Sequence, residues 1–151
     1  QSTAGKRTIS VDDFFTDFYT TALNANEILT EIRLPIPAAG TGTAYTKLPH
    51  PASGYVVVSA AVMITRQPSG TCTASRIAIG GLGSGPVRAI ATEFALQGKP
   101  LTTQMIASAA AKAAEETDPV EDSYAGAEYK RHVATVYARK AIEAAVERAA
   151  K

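Results

Sequence analysis

The segment AYTKLPHPASGYVVVSAAVMI, residues 44–64, predicts a short strand, a loop and a long strand. Successive side chains of an extended chain point to opposite sides, so Tyr45 and Lys47 share a polar face of the short strand. The long strand has a branched side, which we expect in the core, and a smaller side, which we expect under helices. The branched side is Val56, Val58, Ala60, Val62 and Ile64, and the smaller side is Val57, Ser59, Ala61 and Met63.

Turn and linker residues on both sides of this segment delimit further strands. Residues 67–70, QPSG, have the composition of a hairpin turn, so residues 71–80 are predicted to return antiparallel. Residues 27–34, EILTEIRL, alternate apolar and polar side chains before Pro35, which predicts another strand. Four aromatic residues crowd into residues 14–19, where core packing is the favoured interpretation.

Three helices are predicted after the strands. The first spans residues 89–97 and ends at Gly98, and the second begins at Thr102 or Thr103. The third, residues 126–149, has a broad apolar stripe, with its charged residues, Lys130 among them, expected on the solvent side or against a partner. Because strands precede helices, the predicted fold is α+β, an antiparallel sheet of three to four strands packed against three helices.

The composition excludes several classes of function. A net charge of +1 argues against nucleic-acid binding, and no apolar run reaches the ~20 residues that would insert into a membrane. The single cysteine, Cys72, excludes an internal disulfide and favours a cytoplasmic setting. The chain begins with Gln1 rather than Met, from which we expect a fragment or a processed chain.

No complete catalytic or metal site emerges from the residues. Only two histidines are present, and His50, in the predicted loop, is either loop surface, which is the favoured interpretation, or a positioned polar group. The acidic residues at positions 118, 121 and 122 suit a metal on paper, but the start of a helix is the favoured explanation. The glycine-rich residues 80–86 lack a phosphate-loop ending and favour a strand-exit turn.

Five groups of motifs, in order and in spacing, resemble one known family. The family is the C-terminal region of the FAD-binding medium subunit of molybdenum hydroxylases, the group of aerobic carbon monoxide dehydrogenase and xanthine dehydrogenase. The motifs are DFF, TTAL and EILTEIRLP within residues 13–35, AYTKLPHPASGY at 44–55, RIAIGGLGSGPVRA at 76–89, LQGKPL at 96–101 and AEYKRHVATVYARKAI at 127–142.

The resemblance implies a domain division and a set of flavin contacts. Residues 1–36 would be the tail end of the FAD-binding domain with a linking strand, and residues 37–151 the C-terminal α+β domain. Leu29 and Lys47 match a leucine and a lysine that contact the flavin in the family. Tyr45 and Tyr55 are further candidates for aromatic contact, and no residue is predicted to be catalytic or to bind metal.

The resemblance also implies an electron-transfer role within an oxidoreductase. Electrons would pass from [2Fe-2S] clusters on a small subunit, reduced by a molybdopterin-binding large subunit, through FAD to an acceptor. The two glycine-rich FAD loops of the family's N-terminal half are missing here, so this chain alone is expected to bind FAD weakly or not at all and to be inactive. Tyr19 replaces an arginine of the xanthine dehydrogenase branch, which favours the carbon monoxide dehydrogenase-like branch.

A second hypothesis of a different class stays open. The amphipathic last helix and the lack of a complete site also suit a cofactor-free protein interaction module. Pull-down of the isolated chain separates the two hypotheses, because binding to an unrelated partner, with no affinity for molybdenum or iron-sulfur subunits, would favour the module.

Overall fold

The computed structural model describes residues 1–150 of the 151-residue chain and separates into two compact units, of which the first is Gln1–Ile36. This first unit has a one-turn helix and two very short antiparallel strands, joined through Tyr19, whose φ is 50°. These elements are α1 (Val11–Phe14), β1 (Phe15–Asp17) and β2 (Thr20–Thr21).

An ion pair between Arg7 and Glu27 holds the first unit together. Arg7 Nε donates to Glu27 Oε1 at 2.7 Å, and Nη2 donates to Oε2 and to the Ala22 carbonyl, both at 2.6 Å. The guanidinium, with a further hydrogen bond from the Asn24 N–H, lowers the pKa of Glu27 to about 2. The unit therefore depends on polar contacts, since none of its residues is buried.

Two predictions for this unit are wrong. The aromatic residues Phe15, Phe18 and Tyr19 are exposed rather than packed in a core. Residues 27–34 form no strand, because an extended segment needs backbone partners and these residues have no strand partner within residues 1–150. Alternating sequence alone does not supply that partner.

The second unit, which begins at Pro37, is an antiparallel sheet with helices on one face. The strand order is β3-β4-β5-β6, and each neighbouring pair is antiparallel. The predicted α+β class, with a sheet of four strands and three helices, is confirmed. The elements are β3 (Thr41–Pro49), β4 (Val56–Arg66), β5 (Cys72–Gly80), β6 (Val87–Arg88), α2 (Ile90–Leu96), α3 (Thr103–Ala110) and α4 (Ala127–Arg148).

Local signals fix where these elements begin and end. Gly70, at φ 87°, closes the hairpin between β4 and β5 by donating its N–H to the Gln67 carbonyl at 2.9 Å. Gly98, at φ 69°, follows α2, and the Thr102 hydroxyl accepts from the Met105 N–H to cap α3. Within residues 1–150 no helix is long and apolar enough to cross a membrane.

Small residues let α4 lie close against β3 and β4. At Gly42, a Cβ would collide with the Ala145 carbonyl oxygen and with the backbone of Ala149. The Thr46 hydroxyl donates to the Tyr137 carbonyl at 2.9 Å, which ties the strand to the middle of the helix. The helix face toward the sheet consists of the buried residues Val133, Ala134, Ala138, Ala141, Ile142 and Ala145.

The prediction that helices cover the smaller side of β4 is wrong. α4 packs on the branched side of β4, and α2 lies on the same side, where the Ser75 hydroxyl bonds to its Glu93 carbonyl at 3.3 Å. On the smaller side Ala61 is exposed. One end of that side, at Val57, is covered by the glycine-rich turn after β5. Gly81 of this turn, at φ 85°, lies against the Val57 backbone. The predicted strand-exit turn agrees with this geometry.

A buried carboxylate secures the other edge of the sheet. Glu93 accepts from the Ile77 N–H at 2.7 Å and from two nitrogens of Arg88 at 2.7 and 2.6 Å. β6 pairs with β5 over only two residues, so the Ile77 N–H would otherwise lack a strand partner. Glu93 therefore has a structural role, in which it joins α2 to the sheet edge.

The contact at Gly42 gives a stability prediction. We expect Gly42→Ala to lower the free energy of unfolding by about 1–3 kcal/mol, because the added methyl group must push α4 away from β3. Urea denaturation measures the change. Gly85→Ala is the matched control, since nothing lies within 4 Å of a Cβ there and a loss of no more than about 0.5 kcal/mol is expected. Equal losses for both variants would contradict the role of close packing at Gly42.

A second pair of variants tests buried hydroxyl groups. Thr92 Oγ1 is fully buried and, among residues 1–150, is the one buried side-chain oxygen or nitrogen with no hydrogen-bond partner. We expect Thr92→Val to raise the free energy of unfolding by about 1 kcal/mol, because it removes an unpaired polar group. Thr46→Val should lower it by about 1 kcal/mol, because that hydroxyl is bonded. Thermal unfolding of both variants shows whether the signs differ.

Candidate functional site

Tyr45 and Lys47 stand on the face of β3 that points away from α4. Tyr45 is paired with Ala61 and Lys47 with Ser59, and the Tyr45 side chain is 57% exposed. Thr46, between them, bonds to α4 instead. The predicted division of the strand into a polar, open face and a packed face is therefore confirmed.

The loop of residues 50–55 folds back onto the end of β3. His50 donates its N–H to the Tyr55 carbonyl at 2.7 Å, and Gly54 donates its N–H to the His50 carbonyl at 2.8 Å. Lys47 Nζ donates to the Gly54 carbonyl at 3.3 Å. The loop thus brings Lys47 and Tyr55, two of the predicted site residues, to the same end of the sheet.

An aromatic cluster of His50, Tyr55 and Tyr124 covers this loop. The His50 ring stacks on Tyr55, with centroids 4.8 Å apart and planes at 12°. It also packs against Tyr124 in an edge-type arrangement, with centroids 4.5 Å apart and planes at 61°. Its Nδ1 accepts from the Ala52 N–H at 3.2 Å, so the neutral ring carries its proton on Nε2. His50 is therefore a positioned polar group, the second of the two predicted alternatives.

Tyr124 comes from the connection between α3 and α4, where Asp122 holds it. Asp122 Oδ1 accepts from the Tyr124 N–H at 2.8 Å and from the Ala125 N–H at 2.9 Å. Asp122 Oδ2 accepts from Lys130 Nζ at 2.8 Å, and this ammonium also donates to the Val120 carbonyl at 2.7 Å. The lysine, followed by the two backbone N–H groups, lowers the pKa of Asp122 to about 2.

The position of Lys130 corrects the sequence prediction. Lys130 is only 4% exposed, although the sequence predicts it on the solvent side of the last helix or against a partner. The acidic residues around it serve as ion-pair partners, because Asp118 lies 3.7 Å from Arg131 and Asp122 binds Lys130. Within residues 1–150 no group of histidine, cysteine and acidic side chains is arranged to hold a metal ion.

Sequence reasoning missed Tyr124, and it grouped Leu29 with candidates that the structure places in the other unit. Tyr124 lies about 70 positions after His50, and no local pattern marks it as part of the loop's packing. Leu29 belongs to the first unit and is 50% exposed, whereas Tyr45, Lys47 and Tyr55 belong to the second. The structure therefore brings three of the four predicted site residues into one unit.

The chemistry of these residues suits contact with the flavin ring of FAD but not with its diphosphate. A lysine ammonium and exposed tyrosine rings can bind the polar edge and the face of a flavin ring. A diphosphate instead needs converging backbone N–H groups, such as those of an open glycine-rich loop. The glycine-rich turn here packs on the sheet through Gly81 and the buried Leu82. The described residues thus offer a ring contact without a diphosphate cradle.

Comparison with known proteins gives consistent matches. The family described as CO dehydrogenase flavoprotein C-terminal domain matches residues 43–145. The carbon monoxide dehydrogenase medium chain of Afipia carboxidovorans is 34% identical over 145 residues, which are 96% of this chain and 50% of that relative. This chain therefore spans about half the length of the curated relatives it matches.

Two solved structures agree in fold. Carbon monoxide dehydrogenase from Hydrogenophaga pseudoflava, in a form lacking the Mo-pyranopterin moiety of the molybdenum cofactor, superposes with a TM-score of 0.88 at 37% identity, covering 97% of this chain and 50% of that one. Quinoline 2-oxidoreductase from Pseudomonas putida 86 superposes with a TM-score of 0.90 at 30% identity, covering 99% and 52%.

The Asp122–Lys130 pair gives a pH prediction. The folded-state pKa of Asp122 lies below its ordinary value, so its contribution to stability is present above about pH 4 and is lost as the pH falls through about 2. We expect Asp122→Asn to be less stable than wild type at pH 7, because Lys130 stays buried without its anion. The difference should shrink between about pH 4 and 2, as measured by urea unfolding at each pH.

The neighbouring carboxylate provides the control for this pH series. Glu121 is exposed and makes no hydrogen bond or ion pair within residues 1–150. Glu121→Gln should therefore follow the wild-type pH profile. A difference in unfolding free energy between wild type and Asp122→Asn that stays constant from pH 7 to pH 2 would contradict the role of the ion pair.

Proposed function

Because the chain belongs to the CO dehydrogenase flavoprotein C-terminal domain family, we propose that it is the C-terminal portion of the FAD subunit of a molybdenum hydroxylase. In this role it covers the flavin and docks partner subunits. The observation that carries the proposal is the open face of β3, where Tyr45 and Lys47 are available to a ligand while the loop beside them is held in place.

Lys47 is proposed to bind the polar edge of the flavin ring. Its ammonium is an exposed point charge, and its one hydrogen bond, to the Gly54 carbonyl at 3.3 Å, leaves further N–H donors for a ligand. Bound FAD supplies a carrier that accepts an electron pair and releases electrons singly. Tyr45 and Tyr55 are proposed to pack against the ring or its covering loop. Leu29 is also proposed to contact the flavin.

Residues 1–36 are proposed to complete a FAD-binding domain that precedes them in the chain, with residues 37–151 as the C-terminal domain. Two observations support this division. The first unit buries none of its residues, and the chain spans half the length of its relatives. The first unit therefore exposes many apolar side chains, and such an apolar surface is typical of a segment that packs against a further domain. Its exposed members are Val11, Phe15, Phe18, Tyr19, Ile28, Leu29, Ile32, Leu34 and Ile36.

The proposed partners are those that the family resemblance implies, and the names of two similar proteins support them. One relative is a medium chain, and one solved structure is described as lacking a moiety of its molybdenum cofactor. We therefore propose a molybdopterin-binding large subunit and a [2Fe-2S] small subunit, from which electrons reach FAD and then an acceptor. One similar structure is named for carbon monoxide and another for quinoline. Substrate choice is accordingly assigned to the molybdenum subunit.

A fusion protein tests the flavin site. The half of the Afipia carboxidovorans medium chain that this chain does not match is joined ahead of Gln1. The purified fusion is expected to carry flavin absorbance, whereas the 151-residue chain alone should bind FAD with a Kd of about 1 mM or weaker. In the fusion, Lys47→Ala should weaken FAD binding by about 10- to 100-fold, the range for one lost hydrogen bond to a charged group. Leu29→Ala should weaken it less.

The matched control is Lys99→Ala, which removes an exposed lysine from the connection between α2 and α3. This variant should bind FAD as wild type does. A folded fusion without flavin would overturn the proposal and favour the cofactor-free interaction module. Binding of FAD to the 151-residue chain alone at about 1 μM would contradict the assignment of the diphosphate site to the preceding half.

A further inference from the structure

We propose that Tyr124 and Asp122 are positioning residues that hold the loop of residues 50–55, and with it Tyr55 and the carbonyl bound by Lys47. The consequence for the flavin rests on the function proposed above, whereas the coupling itself rests on contacts within the second unit. These contacts run from α4, through the α3–α4 connection, to the loop between β3 and β4.

The coupling begins at a buried charge. Lys130 Nζ has two acceptors, the Val120 carbonyl and the Asp122 carboxylate, at 2.7 and 2.8 Å. A buried ammonium is stable only when such partners are kept in place. Because the buried Lys130 ammonium needs an anionic acceptor, it fixes the position of the Asp122 side chain.

Asp122 in turn fixes the backbone that carries Tyr124. Its Oδ1 binds the N–H groups of Tyr124 and Ala125, and its own N–H donates to the Ala125 carbonyl at 3.1 Å. Ala125 is buried, which anchors the turn in the core. An aspartate that closes a turn on the residues just after it is a common means of rigidifying a connection.

Tyr124 then restrains the loop through His50. The Tyr124 and His50 rings pack in an edge-type arrangement with centroids 4.5 Å apart, and the other ring against the imidazole is the stacked ring of Tyr55. His50 also holds its own loop, since its backbone bonds to Tyr55 and Gly54, and its Nδ1 accepts from the Ala52 N–H. Removal of the Tyr124 ring would leave the His50 side chain without support on one side, and His50 is the residue that makes these loop contacts.

The loop carries two features that matter at the proposed flavin contact. The Gly54 carbonyl accepts from Lys47 Nζ, and Tyr55 is half exposed beside it. A loop that moves would change the direction in which Lys47 points and the position of the Tyr55 ring. Catalytic and binding groups need such support to keep their geometry.

Amide hydrogen exchange by NMR on the 151-residue chain tests the coupling. In Tyr124→Ala, the His50 and Gly54 amides, which bond within the loop, should exchange about tenfold faster than in wild type. The Ile77 amide, bonded to Glu93 at the far edge of the sheet, should not change. Asp122→Asn should accelerate the same two loop amides, and Tyr124→Phe, which keeps the ring, should restore wild-type exchange.

Tyr129→Ala is the matched control, because this half-exposed tyrosine on α4 makes no ring contact within residues 1–150. It should leave the loop amides unchanged. Unchanged exchange at His50 and Gly54 in both Tyr124→Ala and Asp122→Asn would overturn the proposal. An equal increase in the exchange rate of the Ile77 amide would overturn it too, because the substitution would then destabilise the whole unit.

The flavin-loaded fusion separates this proposal from the proposed function. There, Tyr124→Ala should shift the flavin absorbance spectrum and weaken FAD binding, with rescue by Tyr124→Phe. If the loop amides accelerate while the spectrum and the affinity stay those of wild type, the positioning role stands and the assignment of Lys47 and Tyr55 to the flavin fails. If the loop amides do not exchange faster, the positioning role fails, whether or not the flavin spectrum and the FAD affinity change.

Discussion

The close approach of α4 to β3 is the contact on which the rest of the second unit depends. Gly42 has no side chain to separate the strand from the backbone of Ala145 and Ala149, and the helix face is mostly alanine. Close packing of this kind maximises dispersion contacts and leaves no room for water. It also fixes which face of the sheet is covered, and hence which face remains available.

The available face carries Tyr45 and Lys47 because strand side chains alternate. Once Thr46 bonds to α4, its neighbours Tyr45 and Lys47 must point the other way. A rigid strand next to a loop braced by an aromatic cluster is well suited to contact a planar ligand. The ion pair of Lys130 and Asp122 holds the turn that carries Tyr124, and through it we propose that a buried charge supports the loop.

The sequence was informative wherever the signal was local. Gly70, Gly98 and Thr102 act within a few residues of their own position, so the hairpin and the helix ends could be read directly. The motifs identified the family for the same reason, since each is a short run in a fixed order. The predicted strand at residues 27–34 failed because a strand exists only with a partner, and none lies within residues 1–150.

The sequence by itself determined the fold class, the family, and the alternation that exposes Tyr45 and Lys47. The tertiary structure alone decided that helices cover one face only, that Lys130 is buried, and that Tyr124 meets His50. Those facts depend on contacts between residues far apart in the chain, as in the approach of residue 124 to residue 50. Periodicity reports which side of an element a residue occupies, but the identity of its neighbour is set only when the elements pack.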